Sequence, residues 1–329
     1  MPSYHAPIDR IVVAIPVKDE ESRIQSALLA LDRAAREVAL PVSAVVLVNN
    51  SSDRTIARID SIACSLSIGL HVQEVTLPPP LANAGGARRL AMEMAADRAP
   101  QGVLMTTDAD SVVAPHWFRA SLQGLATSEL VCGAIDVEEL PAEAAGCRIA
   151  RIERKYGCIM HEIRYASDRL GGRQGGRTRP HYMESGATLA MRTSTYDAIG
   201  GLPPVGFGED RALVHRVEAQ GLRVRYCPAM RAAVSGRLDG RAVGGMAACL
   251  RARSLSPDPV ADQAMLTRPH IESLWEAARD GQHVLWPDRS VPHGPAQRAS
   301  DLERALPGLA VFLAEEVRPF MRSGLTDAT

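Results

Sequence analysis

The sequence predicts an α/β fold: a mostly parallel sheet with helices on both faces, followed by a C-terminal helical extension. Three observations carry this. Short apolar runs alternate with longer segments of helical periodicity through the first 135 or so residues. Turn-forming clusters separate them, notably Asn49-Asn50-Ser51-Ser52-Asp53 and Pro78-Pro79-Pro80. Two carboxylates, Asp108 and Asp110, stand one residue apart at the end of the apolar run Leu104-Met105-Thr106-Thr107.

Taken in order, Arg10 to Ile15 reads as a strand closed by Pro16. A helix follows over about 20–38, with Ile24, Ala27, Leu28, Leu31, Ala35 and Val38 on one face. Ser43 to Val48 reads as a second strand, residues 54–64 as a helix, and His71 to Val75 as a third strand. Beyond the prolines come a helix over 82–96, the Asp108 strand, a helix near 115–125 and a strand over 130–135. Alternation of this length implies right-handed crossovers and parallel neighbours.

Residues two apart on a strand face the same way, so Asp108 and Asp110 are expected to project together from the strand's C-terminal end, where open α/β sheets bind ligands. Two hard oxygen donors there suit Mg2+ or Mn2+ carrying a substrate diphosphate. The alternative is a surface loop whose acids cap the next helix.

Lys+Arg 37 against Asp+Glu 38 leaves almost no net charge, which argues against a generally basic nucleic-acid surface. Aromatics at 4% disfavour base-stacking platforms. Cysteines 64, 132, 147, 158, 227 and 249 include no C-x-x-C pair and read as mostly buried thiols in a reducing compartment. With no apolar leader and no run of about 18 uncharged apolar residues, the expectation is a cytoplasmic protein without a transmembrane span.

Two segments depart from the alternation. Residues 168–180, DRLGGRQGGRTRP, are rich in Gly and Arg with no apolar anchor and read as a mobile loop, either a tolerated insertion or a lid for anionic groups. Past Gly240 the pattern turns helical, with a Pro-rich connector over 287–295 and a last helix over about 301–321, delayed or kinked by Pro307. This extension, 241–329, has three readings: a cover for the core, a homodimer contact or an acceptor-facing element.

Four blocks in order resemble the family 2 glycosyltransferases of GT-A fold over residues 1–240. They are Ile15-Pro16-Val17-Lys18-Asp19-Glu20-Glu21, Val48-Asn49-Asn50-Ser51-Ser52-Asp53, Asp108-Ala109-Asp110 and Gly206-Phe207-Gly208-Glu209-Asp210-Arg211-Ala212-Leu213. The resemblance implies a Rossmann-like nucleotide-sugar half over 1–110 and an acceptor half over 111–240. It implies that Pro16, Val17 and Glu20 line the nucleotide pocket, Glu20 accepting from ribose or base, and that Asn49 and Asn50 lie against the base. Val48 stands where the family usually has a base-reading aspartate, which leaves the donor nucleotide open. Asn83, Gly85, Gly86 and Arg88 resemble the family's next block: the glycines would admit backbone to the donor, and Arg88 would meet phosphate.

On this reading Asp110 binds Mn2+ or Mg2+, and Asp108 assists it or contacts ribose. Asp210 is the base for an acceptor hydroxyl on a sugar, small molecule or lipid-linked partner, and Glu209 orients it or contacts the acceptor; one displacement would invert the anomeric carbon. Glu209-Asp210 also suits a helix start. Ser185, Gly186 and Ala187 would leave room beneath the sugar. The family's late metal-binding histidine is missing, and Arg237 is the substitute nearest that point. Other classes remain open: a sugar-phosphate nucleotidylyltransferase, which lacks its Gly-rich loop here; a D-x-D phosphatase, whose nucleophile belongs on the first strand; and a non-catalytic nucleotide-sugar binding protein.

Overall fold

The computed structural model describes residues 7–138, 147–174, 179–237, 253 and 256–323. The chain packs as two compact units, Met1–Leu140 with Met183–Ala248, and Pro141–Tyr182 with Cys249–Thr329. The sequence boundary at residue 240 thus differs from the packing, which joins 141–182 to the C-terminal stretch.

In the first unit an eight-stranded sheet runs β3-β2-β1-β4-β7-β6-β8-β5. Its strands are β1 (Ile11–Val17), β2 (Val42–Asn49), β3 (Gly69–Val75), β4 (Val103–Thr106), β5 (Val112–Val113), β6 (Leu130–Glu138), β7 (Leu189–Arg192) and β8 (Val224–Ser235). The first four pair in parallel. β7, however, enters antiparallel between β4 and β6, and β5 lies antiparallel on β8, so the sheet is mixed rather than the parallel one the alternation implied. Only β6 and β8 restore a parallel pair, with a register break after Gly133.

Helices α1 (Ile24–Ala35), α2 (Thr55–Ala63), α3 (Ala84–Arg98) and α4 (Trp117–Leu125) fill the crossovers. β1 is buried along both faces, as a central strand covered by helices must be. Each of its fully buried aliphatic side chains contributes about 1.5–3 kcal/mol relative to exposure. β1 also runs past Pro16 to Val17 instead of stopping there. Its ladder with β4 ends at Ala14↔Thr106, so the proline falls where that neighbour has already turned away. Strand order reverses between β1 and β4, which sets the ends of these strands side by side at the sheet's switch point.

The second unit is helical. α5 (Arg148–Leu170), which the sequence reading did not anticipate, packs with α8 (Arg268–Arg279) and α9 (Ala299–Phe312); in chain order α6 (Thr193–Ala198) and α7 (Glu209–Ala219), which belong to the first unit, come before α8. Asp168 to Leu170, expected as loop, complete α5. Its core joins Ile149, Ile152, Tyr156, Met160 and Ile163 of α5 to Trp275, Leu302 and Leu309. α9 begins at Ala299 with Pro307 inside it; a π turn over Leu313–Val317 and α10 (Arg318–Ser323) continue it. Among the described residues no helix is long and apolar enough to cross a membrane.

Candidate active site

The site grows from the loops at the switch point. The β1–α1 loop is laced to the β2–α2 loop: Ser52 N–H donates to Asp19 (2.7 Å), Glu20 N–H to Thr55 Oγ1 (2.9 Å), and Glu21 N–H to Asp53 (2.9 Å). Asp19 and Asn50 both hold positive φ, 52° and 49°, a conformation that short polar side chains tolerate best. The Asn50 amide spends both ends on the Leu77 backbone, each at 3.1 Å. Asn49 ends β2 buried, and Val48 beside it is fully buried.

β4 ends at Thr106, so Asp108 and Asp110 sit on the following turn and not on the strand itself. The Asp108 carbonyl accepts from Ser111 N–H at 3.1 Å and closes that turn. The strand-alternation argument for the pair therefore fails, although both acids do reach one site.

Arg88 of α3 organises them. Its Nε donates to Glu209 Oε1 (2.8 Å), Nη1 to Thr106 Oγ1 (2.8 Å) and the Gly186 carbonyl (3.1 Å), and Nη2 to Asp108 Oδ1 (2.5 Å). Burial alone disfavours its charge, but the facing carboxylates of Asp108 and Glu209 outweigh that and raise its pKa above the ordinary value. Arg88, expected to meet phosphate, has a side chain that is 6% exposed and paired with protein acceptors. Gly186 makes the room, since a Cβ there would lie 2.4 Å from the Arg88 guanidinium carbon. Its smallness serves the arginine rather than a sugar.

Gly85 and Gly86 also turn inward. A Cβ on Gly85 would stand 1.9 Å from the Val205 carbonyl oxygen, and one on Gly86 would stand 2.4 Å from that of Leu81. These glycines let the first turn of α3, capped by Asn83 on Gly86 N–H at 2.8 Å, press against neighbouring backbone. The close approach is to the backbone of Val205 and Leu81.

Glu209 and Asp210 open α7, after Gly208 with φ 70°, where the positive end of the helix favours acids. Asp210 accepts from Gly186 N–H at 2.9 Å and from Arg211 N–H at 2.8 Å. Burial, then Glu209, push its carboxyl up to about 6, against the pull of Arg211 and Arg88. Asp110 is likewise raised to about 6, by burial first and then by Asp108 and Glu20, with Arg237 opposing. Asp110 borders a depression of about 350 Å³ lined also by Ser22, Arg23, Ser26 and Val112. Arg237 forks onto both oxygens of Glu20, one at 2.9 Å, and stands 3.4 Å from Asp110. Glu20, expected at ribose or base, thus faces a guanidinium.

Among the described residues no three His, Cys, Asp or Glu side chains gather to hold a metal. The donor set that is present, Asp108 and Asp110, still fits a divalent cation that completes its shell with diphosphate and water. Asp110 resists ionisation because of burial first and then the negative charge of Asp108 and Glu20, and a cation would relieve the second of these.

The profile of the glycosyltransferase like family 2 matches residues 8–262, most of the chain and all of this site. The chain belongs to that family. No curated protein is significantly similar to this chain. Among solved structures it is similar to S. aureus TarS 1–349 in complex with UDP-GlcNAc (13% identity, 71% of this chain and 60% of that one, TM-score 0.47). It is also similar to the mannosyltransferase PcManGT from Pyrobaculum calidifontis in complex with GDP-Man and Mn2+ (16% identity, 97% and 86%, TM-score 0.50). It spans about 60% of the length of that TarS structure.

The structure brings Glu20, Arg88, Asp108, Asp110, Glu209 and Asp210 into one network and leaves Asn50, Gly85 and Gly86 as builders of backbone. Thr106, at the end of β4, was missed by the sequence reading; its signal is the polar residue closing an otherwise apolar strand. Phe207, 58% exposed just before α7, was missed too, although an aromatic in a Gly-Phe-Gly turn has no core to join.

Proposed function

We propose that this glycosyltransferase moves a sugar from a nucleotide-diphosphate donor to an acceptor hydroxyl with inversion, and that Asp210 is its base. One observation carries the reading: the Asp210 carboxyl is lifted to about 6 while two N–H donors hold it in place. A carboxylate tuned toward neutrality takes a hydroxyl proton far better than an ordinary one. As the acceptor oxygen bonds to the anomeric carbon, Asp210 receives its proton and the bond from that carbon to the nucleotide diphosphate breaks.

Glu209, held by Arg88, orients the base rather than accepting a proton. Asp110, assisted by Asp108, would hold Mn2+ or Mg2+; the cation supplies charge neutralisation for the departing diphosphate. Arg237 is placed to add a second positive group on that side. Pro16, Val17, Glu20 and the Asn49-Asn50 turn form the nucleotide side, and Phe207 offers an apolar face to an acceptor ring. The acceptor is a sugar, a small molecule or a lipid-linked hydroxyl, and the protein works in the cytoplasm.

The test is a melting screen of UDP, GDP, CDP, ADP and dTDP with Mn2+ and with EDTA, followed by two variants. Binding to the native state alone raises stability by about 2.7 kcal/mol at a hundredfold excess over Kd. Asp110→Ala is expected to lose the metal-dependent rise, whereas Asp210→Asn keeps it and loses transfer. Equal loss of nucleotide binding in both variants overturns this division of roles.

A further inference from the structure

Arg237 lies two residues past the end of β8, and the backbone beside it is anchored. Gly236 N–H donates to the Glu138 carbonyl at 2.6 Å, continuing the ladder in which Ser235 faces Glu138. From that anchor the side chain crosses to the β1–α1 loop, 217 positions earlier in the chain, and forks onto both oxygens of Glu20. Glu20 is fixed in its turn. Its N–H donates to Thr55 Oγ1 at 2.9 Å, and its carbonyl accepts from the N–H groups of Arg23 and Ile24, each at 3.0 Å, as α1 begins. Two anchored backbones and a forked contact hold the guanidinium in one place. There it stands 3.4 Å from Asp110 Oδ2.

The acids of the site thus divide between two cations. Asp108 and Glu209 face Arg88, whereas Glu20 and Asp110 face Arg237. Glu20 is buried, but the Arg237 side chain is 21% exposed and that of Asp110 20%, so an incoming ligand reaches both. What Arg237 does to that ligand depends on the ligand's charge. A divalent cation arriving alone at Asp110 meets a positive group already in place, where partial burial leaves the repulsion weakly screened. A cation that arrives with a nucleoside diphosphate brings net negative charge, and phosphate oxygens suit a guanidinium fork.

We propose that Arg237 is a positioning residue that orders donor binding: it disfavours a lone divalent cation at Asp110 and favours the same cation accompanied by a nucleoside diphosphate, while Glu20 holds the guanidinium in place. Metal and nucleotide then enter together rather than metal first. This rests on the donor chemistry proposed above and adds to it the side chain that ties the two ligands to one arrival.

The experiment measures two affinities of the full chain: Mn2+ alone, from the paramagnetic signal of the free ion, and nucleotide at saturating Mn2+, by calorimetry. The nucleotide is whichever of UDP, GDP, CDP, ADP and dTDP raises the melting point most. Arg237→Gln is expected to bind Mn2+ alone at least tenfold more tightly than wild type and the nucleotide at least tenfold more weakly. Arg237→Lys, which keeps the charge, stays close to wild type in both. A merely damaged site weakens both affinities, so opposite movements mark the role proposed. Should Arg237→Gln lose its cooperative melt because Glu20 is left buried without its partner, Glu20→Gln with Arg237→Gln is compared with Glu20→Gln alone. The same two directions are expected there. Affinities that move together or not at all in the folded variant overturn the proposal and leave the metal-dependent donor reading standing, as does Arg237→Lys behaving like Arg237→Gln. Wild-type protein that binds none of the five nucleotides with Mn2+ removes that reading, and the role of Arg237 with it.

Discussion

Replacing Asp110 by Asn is expected to stabilise the metal-free protein while disabling it. The Asp110 carboxyl is carried from its ordinary 3.8 to about 6 by burial and by the charges of Asp108 and Glu20. At about 1.4 kcal/mol per tenfold, holding it ionised at neutral pH opposes folding by up to about 3 kcal/mol. Its side chain is 20% exposed, and water there absorbs part of the difference; about 1–2 kcal/mol remains. That corresponds to a melting point higher by roughly 3–6 °C in a unit of this size. The sign follows from linkage: a carboxyl whose folded pKa is raised contributes stability below its unfolded pKa and loses it as pH climbs through the folded one. The advantage of Asp110→Asn therefore opens between about pH 4 and pH 6 and closes in acid. Melts in EDTA at pH 4.0, 5.0 and 7.5 read this directly, and adding Mn2+ with the fitting nucleotide should reverse the order by stabilising only the wild type. An Asn variant that melts at or below wild type at pH 7.5, or a gap of equal size at pH 4.0, refutes the reasoning.

Other perturbations test neighbouring parts of the network. The kcat/KM profile should rise with pH through an inflection near 6, the value to which Asp210 is lifted, and a profile flat from pH 5 to 8 argues against Asp210 as base. Arg88→Ala leaves Asp108 and Glu209 without their shared cation and should lower stability by about 3–5 kcal/mol, as loss of one partner of a buried ion pair does; urea melts measure it. Gly85→Ala, whose Cβ would press on the Val205 carbonyl, should lose about 1–3 kcal/mol, measured as a lower melting point.

The first half of the fold is legible in the sequence because β1, β2 and β4 are buried on both faces and read as unbroken apolar runs between turn clusters. β8 is not: its exposed Arg225, Pro228, Ala229 and Arg231 interrupt the pattern, and it carries the unpaired residues 228–230 of the register break opposite Gly133 and Ala134. α5 escapes notice for a different reason. Its apolar stripe at Ile149, Ile152, Tyr156, Met160 and Ile163 is diluted by arginines and glutamates, though the spacing itself is helical. At the site, the acids could be found by motif, but their partners could not. Nothing local to Arg88 tells that its guanidinium turns toward Glu209, 121 positions later, and nothing local to Glu20 points to Arg237. Sequence spacing records which chemistry is available, whereas pairing across distant segments is decided by packing.

Gly186 and Arg88 have a bearing on how this chain can change. The absent side chain at 186 and the guanidinium at 88 fill a single volume, and the carbonyl and N–H of the same glycine serve Arg88 and Asp210. A mutational path that alters either residue alone crosses a clash or an unbalanced charge, so the two positions should drift together or not at all. Redesign of acceptor preference has its freer ground at Phe207, whose exposed ring no such pairing constrains.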